Sequence, residues 1–242
     1  MLFFCTFAVI DTIIEIFDLP NMNIEKYVFP IFQQRDDGTI DSIGNGFFSG
    51  NLFFTAEHVV MPSLVAIGDP FIIIGNREII LTNKVELNYK SLDDDNEDHT
   101  YGHEDKDRTD FSVFILADID INSPLRLATS FPARGQHLRC DFYHRIKDPF
   151  NPSHKKLNEE SGHMYYWETT AIVESDEKYF VGNFFGAKMK PAHPKGGSSG
   201  SPLYDNNNIV YGILHVGKDD FCGFYAVAHA NQLLRQSQIS ID

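Results

Sequence analysis

The sequence predicts an all-β protein built as two antiparallel barrels or sandwiches. Three observations lead there: short runs rich in β-branched and aromatic residues, turn residues between them, and a division of those runs into two sets of about six. Phe alone supplies 21 of the 242 residues and 43% of the chain is hydrophobic, ample material for a core.

The first set comprises Tyr27–Gln33, Gly46–Thr55, Leu64–Ile67, Phe71–Ile74, Glu78–Tyr89 and Phe111–Leu116. The second comprises His137–His144, Tyr165–Glu174, Tyr179–Lys188, Ser201–Tyr204, Ile209–Val216 and Gly223–Ala228. Asn-Gly, Asp-Gly and Asn-rich segments punctuate them as turns. The clearest hairpin is SPLYDNNNIVYGIL, in which Asp205–Asn208 joins two apolar strands. Only Ala230–Ser237 reads as a helix. A Pro- and Ser-bearing connection near Asn122–Arg134 separates the sets, giving an extension over 1–22, a first barrel over 23–121, a link over 122–134 and a second barrel with the helix over 135–242.

Charge and cysteine content exclude several functions. With 34 acidic and 20 basic side chains the net charge is -14, unsuited to a nucleic-acid binder that tracks phosphates. Cys5, Cys140 and Cys222 cannot form a disulfide framework, and nothing marks Cys222 as reactive. Met1–Ile10 is apolar, but Asp11, Glu15 and Asp18 follow at once and no Lys or Arg precedes Lys26. That pattern lacks the cationic start and cleavage site of an export signal and is too short for a membrane span of about 20 residues. It reads as an extra packed segment, or as an over-long start with the working chain opening near Met22, and the expected location is cytoplasmic. Asp93–Asp110 (DDDNEDHTYGHEDKDRTD) is too charged for a buried strand and reads as a solvated loop. It lacks the glycine of a calcium loop, and Gly102 argues against a helical His99/His103/Glu104 zinc site, so no metal is expected.

Three short segments carry chemistry. Gly196-Gly197-Ser198-Ser199-Gly200-Ser201-Pro202-Leu203 sets a serine between glycines on a tight turn. Such a turn can present a hydroxyl beside two inward amides, a nucleophile next to a site for a developing oxyanion. Upstream, Asn51-Leu52-Phe53-Phe54-Thr55-Ala56-Glu57-His58 reads as a strand ending on a histidine, and Asp110 opens the apolar strand that follows Thr109.

In the order His58, Asp110, Ser199, these segments resemble three blocks of the chymotrypsin-like serine proteases. Thr55–His58 is similar to the T-A-A-H block, Asp110 to the Asp opening an apolar strand, and Gly197–Pro202 to the G-x-S-G-[GS]-P block. The resemblance spans roughly residues 25–235. It implies two six-stranded barrels with the site in the cleft between them, hydrolysis of a protein or peptide substrate, and no cofactor. His58 would be the general base and acid, Asp110 its orienting partner, Ser199 the nucleophile, and the Gly197 and Ser199 amides the oxyanion donors. Ser198 stands where digestive members carry an Asp that pairs with a freed N-terminus, so activity without N-terminal cleavage is expected. Glu57 replaces the usual small residue before the histidine.

The substrate-binding candidates are His193, Leu214, His215 and Gly217. His193 lies six positions before Ser199, where the trypsin type has Asp, so trypsin-like cleavage is disfavoured. Ile213-Leu214-His215-Val216-Gly217 is similar to the I-H-x-G strand of bacterial glutamyl endopeptidases and picornaviral chymotrypsin-like proteases, in which the His reads Glu or Gln before the scissile bond. Those families keep one residue between the strand's glycine and its His, whereas two separate Gly212 from His215. That one-residue slip would turn His215 away and point Leu214 inward, favouring a bulky apolar side chain instead. Lys195 joins His193 and His215 in a basic cluster that favours an acidic group. Two other functions fit the same residues: a catalytically inactive module binding extended peptides by strand addition, and an esterase acting on small acyl groups.

Overall fold

A computed structural model describes residues 23–61, 66–87, 109–116, 119–144, 165–190, 196–218, 220–237 and 239. The segment 1–22, the acidic residues 93–108, and His193 with Lys195 lie outside the described residues.

The first sheet contains β1 (Val28–Arg35), β2 (Ile40–Ser49), β3 (Leu52–Thr55), β4 (Ala66–Ile74), β5 (Arg77–Ile80) and β6 (Ser112–Ile115), in the order β5-β4-β1-β2-β3-β6. The chain after β5 closes it against β6: Val85 N donates to Val113 O at 2.8 Å and Ile115 N to Asn83 O at 3.1 Å. The second sheet contains β7 (Arg126–Leu127), β8 (His137–His144), β9 (Tyr165–Val173), β10 (Phe184–Lys190), β11 (Pro202–Tyr204), β12 (Ile209–Lys218) and β13 (Phe221–Ala226). Its order is β11-β8-β9-β10-β13-β12-β7, and β11 also pairs with β12, so six antiparallel strands form a closed ring. Short β7 adds to β12 in parallel. The architecture is therefore all-β, two six-stranded antiparallel barrels, with helix α2 (Val227–Gln236) near the C-terminus and a single-turn helix α1 (Glu57–Val60) after β3.

Several elements differ from the sequence expectation. The strand expected over Gly46–Thr55 is two strands paired as a hairpin, because Gly50 takes φ +56° and reverses the chain. Asn45-Gly46, which reads as a turn, lies inside β2. Gly46 is required there because a Cβ would sit 2.3 Å from the Phe53 ring on the facing strand. The run from Glu78 is a strand only to Ile80. Tyr179–Lys188 begins as a 3-10 turn over Glu177–Tyr179, started by Asp176 accepting from Lys178 N, and the strand opens at Phe184. The histidine lies in α1, beyond the end of the strand.

Two apolar clusters hold the barrels. One fills the first barrel with Val28, Ile31, Phe47, Phe53, Phe54, Phe111 and Val113, and continues across to Tyr204, Ile213 and Tyr225 of the second and to Val227 and Leu234 of α2. The other fills the second barrel with Leu138, Cys140, Phe142, Phe185, Leu203, Leu214, Cys222 and Phe224. Burial pushes the Cys222 thiol up to about 12 and that of Cys140 well above its usual value, so both behave as apolar filling. The strand period of two sends Leu214 into the second barrel while Ile213 and His215 face the other way.

Candidate active site

Asp110, placed by the entry into β6, is fully buried. Two donors of His58 converge on it: the backbone N–H reaches Oδ1 at 3.1 Å, and ring Nδ1 lies 2.9 Å from Oδ2 and 3.1 Å from Oδ1. An ionised carboxylate only accepts, so Nδ1 carries a proton, and in the neutral ring the lone pair belongs to Nε2. Burial alone would raise the Asp110 pKa. Hydrogen bonds from His215 and His58, with the attraction of both imidazoles, outweigh it and hold the carboxyl well below the usual range.

His215 also donates Nδ1–H to Asp110 Oδ2, and its ring lies edge-on to that of His58 with centroids 5.2 Å apart. One ring nitrogen of each imidazole and one Asp110 oxygen lie within 4.8 Å of one another. The His58–Asp110 separations are hydrogen-bond lengths, and both imidazoles meet the carboxylate as N–H donors.

Glu57 is buried and turned away from this group, with Lys84 Nζ on its Oε1 at 2.7 Å. A recess of about 330 Å³ lies there, lined by Val60, Asp69, Pro70 and Phe114 among others. The residue that replaces the usual small neighbour of the histidine thus forms an ion pair on the far side of α1.

The serine turn is pinned from both barrels. Ser199 O accepts from Asn45 N at 2.7 Å, Gly200 N donates to Leu214 O at 2.8 Å, and Leu214 N donates to Ser201 O at 2.8 Å. A Cβ at Gly44 would meet Val59 at 2.5 Å and Ser199 O at 3.0 Å, so the serine backbone lies against α1 beside the histidine. The Ser199 hydroxyl donates to His215 O at 3.3 Å and is turned to that carbonyl instead of to His58.

Gly196 O accepts from His144 Nε2 at 2.7 Å, Gly197 O from Asn45 Nδ2 at 2.8 Å, and Ser198 O from Ser201 Oγ at 2.6 Å. In a trans peptide the N–H points opposite to the C=O. Anchoring the carbonyls of Gly196 and Ser198 therefore directs the N–H groups of Gly197 and Ser199 to the other side of the turn. Among the described residues neither N–H has a partner. Gly197 takes φ +93° and Gly200 φ +87°, both left-handed.

No family model matches the sequence, and no curated protein does either. Solved structures do. HL collagenase superimposes with a TM-score of 0.59 at 13% identity, over 89% of this chain and 94% of that one. Neuropsin, a serine protease expressed in the limbic system of mouse brain, gives 0.58 at 16% identity, over 88% and 94%. The tobacco etch virus protease complexed with product gives 0.54 at 14%, over 89% and 80%. The fold is that of the chymotrypsin-like serine proteases.

In this fold the first barrel carries His58 and Asp110, and the second carries Ser199, Gly197 and His215. Leu214, a candidate for the pocket wall, is core packing in the second barrel. Gly217 is exposed near the end of β12, opposite Cys222. Two contributors escape a sequence reading. Asn45 is hidden in what looks like an Asn-Gly turn, and His144 is one of ten histidines with no motif around it.

Proposed function

We propose that the chain is a serine endopeptidase working through an acyl-enzyme on Ser199. The observation that carries this is the buried, ionised Asp110 holding His58 by backbone and ring, which leaves Nε2 as a base at the surface of the inter-barrel cleft. The Ser199 hydroxyl turns from His215 O to Nε2 and attacks the scissile carbonyl carbon. The Oγ–C bond forms as the hydroxyl proton moves to Nε2, and charge collects on the carbonyl oxygen. Two directed amides, Gly197 and Ser199 N–H, receive that oxygen, an interaction worth about 3 kcal/mol per donor. His58 then returns the proton to the leaving amine as the C–N bond breaks, and water repeats the sequence on the ester.

No strand pairs with Val216 and Gly217 on the side away from β13 among the described residues, which suits an extended peptide added to β12. Preference for Glu or Gln before the scissile bond has less support: the His215 ring expected to read it has its Nδ1 engaged by Asp110, and His193 lies outside the described residues.

Fluorophosphonate labelling of the full chain tests the proposal. Wild type is expected to label and Ser199→Ala to remain folded and unlabelled. A folded, unlabelled wild type would overturn the hydrolase and favour the inactive peptide-binding module instead. Labelling with turnover of short esters but of no peptide library would establish the esterase.

A further inference from the structure

His215 touches all three residues of the proposed triad. Its ring donates to Asp110, its edge-on face meets His58, and its carbonyl accepts from the Ser199 hydroxyl. Strand alternation sends Leu214 into the barrel and His215 toward the cleft, and the ladder between β12 and β13 bulges at His215, the extra residue between Leu214 and Val216. Phe184 supports the ring at 5.1 Å between centroids. The titratable groups facing it among the described residues are Asp110, before β6, and His58 on α1. Behind Phe184 lie Tyr225 of β13 and, on the Tyr225 hydroxyl, His229 of α2.

We propose that His215 is a positioning residue that shares Asp110 with His58, so that two imidazoles and one carboxylate form a single proton-holding unit. This rests on His58 being the base for Ser199. A fully buried carboxylate stays ionised only when its lone pairs are occupied by donors. His58 supplies two donors and His215 another, on Oδ2. The shared donation keeps Asp110 charged and fixed in orientation, and it divides the anion's attraction between the rings. Removing His215 would leave the whole of that attraction to His58.

The test combines a spectroscopic and a kinetic measurement on the full chain with ¹⁵N-labelled histidine. Wild type is expected to show two imidazole N–H protons far downfield of the amides, both displaced in Asp110→Asn. In His215→Ala the remaining signal moves further downfield as the carboxylate becomes undivided. In His215→Asn, whose amide can occupy the Nδ1 position as a donor, it stays near the wild-type shift. The fluorophosphonate labelling rate is expected to fall roughly 10- to 100-fold in His215→Ala, the loss typical of removing a group that orients a catalytic partner. His215→Asn should recover most of it. The acid limb of the rate profile in His215→Ala should move upward by about one pH unit.

A His215 proton indifferent to Asp110→Asn would overturn the pairing even if the His215 variants fail to fold. Wild-type labelling with an unchanged rate and acid limb in folded His215→Ala would overturn the positioning role and leave the hydrolase standing. Two responsive protons in a wild type that never labels would overturn the hydrolase, and the catalytic role of His215 with it.

Discussion

Gly200 and Asn45 decide whether the serine turn can dock on the first barrel. A Cβ at Gly200 would lie 2.0 Å from Asn45 O and 2.4 Å from Thr55 Oγ1, both on the β2–β3 hairpin, and φ there is +87°. Neither the backbone carbonyl nor the hydroxyl has room to withdraw, since Thr55 Oγ1 donates to Asn45 O at 2.6 Å. Gly200→Ala is expected to cost about 2–4 kcal/mol in urea denaturation and to abolish labelling. Asn45 offers a finer experiment. Its Nδ2 donates to Gly197 O and Tyr143 O, and its Oδ1 accepts from Tyr143 N at 2.7 Å. Asn45→Asp keeps the acceptor and the volume but turns an anion toward two carbonyls. The peptide joining Gly197 to Ser198 should then rotate, loosening the turn between the two oxyanion donors, and the labelling rate should fall by about tenfold. Asn45→Ala should instead act mainly on stability, by removing the partner of three partly buried backbone groups.

At the scale of elements, the described part of the turn between β10 and β11 is held by side chains from two strands. His144, at the end of β8, anchors Gly196 O, and Asn45, within β2, anchors Gly197 O. Ser198, where a carboxylate would need neutralising, is buried and uncharged. The full chain is therefore expected to label as fast as chain trimmed before residue 23, and mass analysis of the labelled product should show an intact N-terminus. Replacing His144 by Phe removes the donor at similar size and should slow labelling with little change in unfolding midpoint. The sequence makes these elements legible unevenly, for physical reasons. Strand existence was readable because aromatic and β-branched runs are intrinsic to each segment, and His58, Asp110 and Ser199 stood in short local motifs. The β2–β3 boundary was not, because Gly46 and Gly50 look alike in sequence although one makes room for Phe53 and the other reverses the chain. Asn45-Gly46 reads as a turn for the same reason: its hydrogen bonds go to β8 and the serine turn, which only tertiary structure brings near. His215 was legible as part of the site, but its partner Asp110 lies 105 positions earlier.

Across the whole molecule, two buried aspartates set opposite pH dependences. Asp110, between the barrels, has a depressed pKa, so its stabilising contribution is complete above the ordinary carboxylate range near pH 4 and is lost as pH falls through the lowered value. Asp141, on β8, is also fully buried, but burial raises its pKa despite the hydroxyls of Tyr166 and Tyr204 on Oδ2, with Arg139 3.5 Å away. Its Oδ1 has no hydrogen-bond partner among the described residues. A raised pKa contributes stability below the ordinary range and loses it as pH rises through the shifted value. The two substitutions should therefore diverge with pH. Relative to wild type, Asp110→Asn should be more destabilising at pH 7 than at pH 2, because it forgoes an ionisation that favours the folded chain. Asp141→Asn should compare better with wild type at pH 7 than at pH 3, because wild type alone bears the cost of an under-bonded buried anion at the higher pH. Urea denaturation of the three proteins at these pH values reads both differences, and parallel curves would show that the two carboxylates are not held in these opposed states.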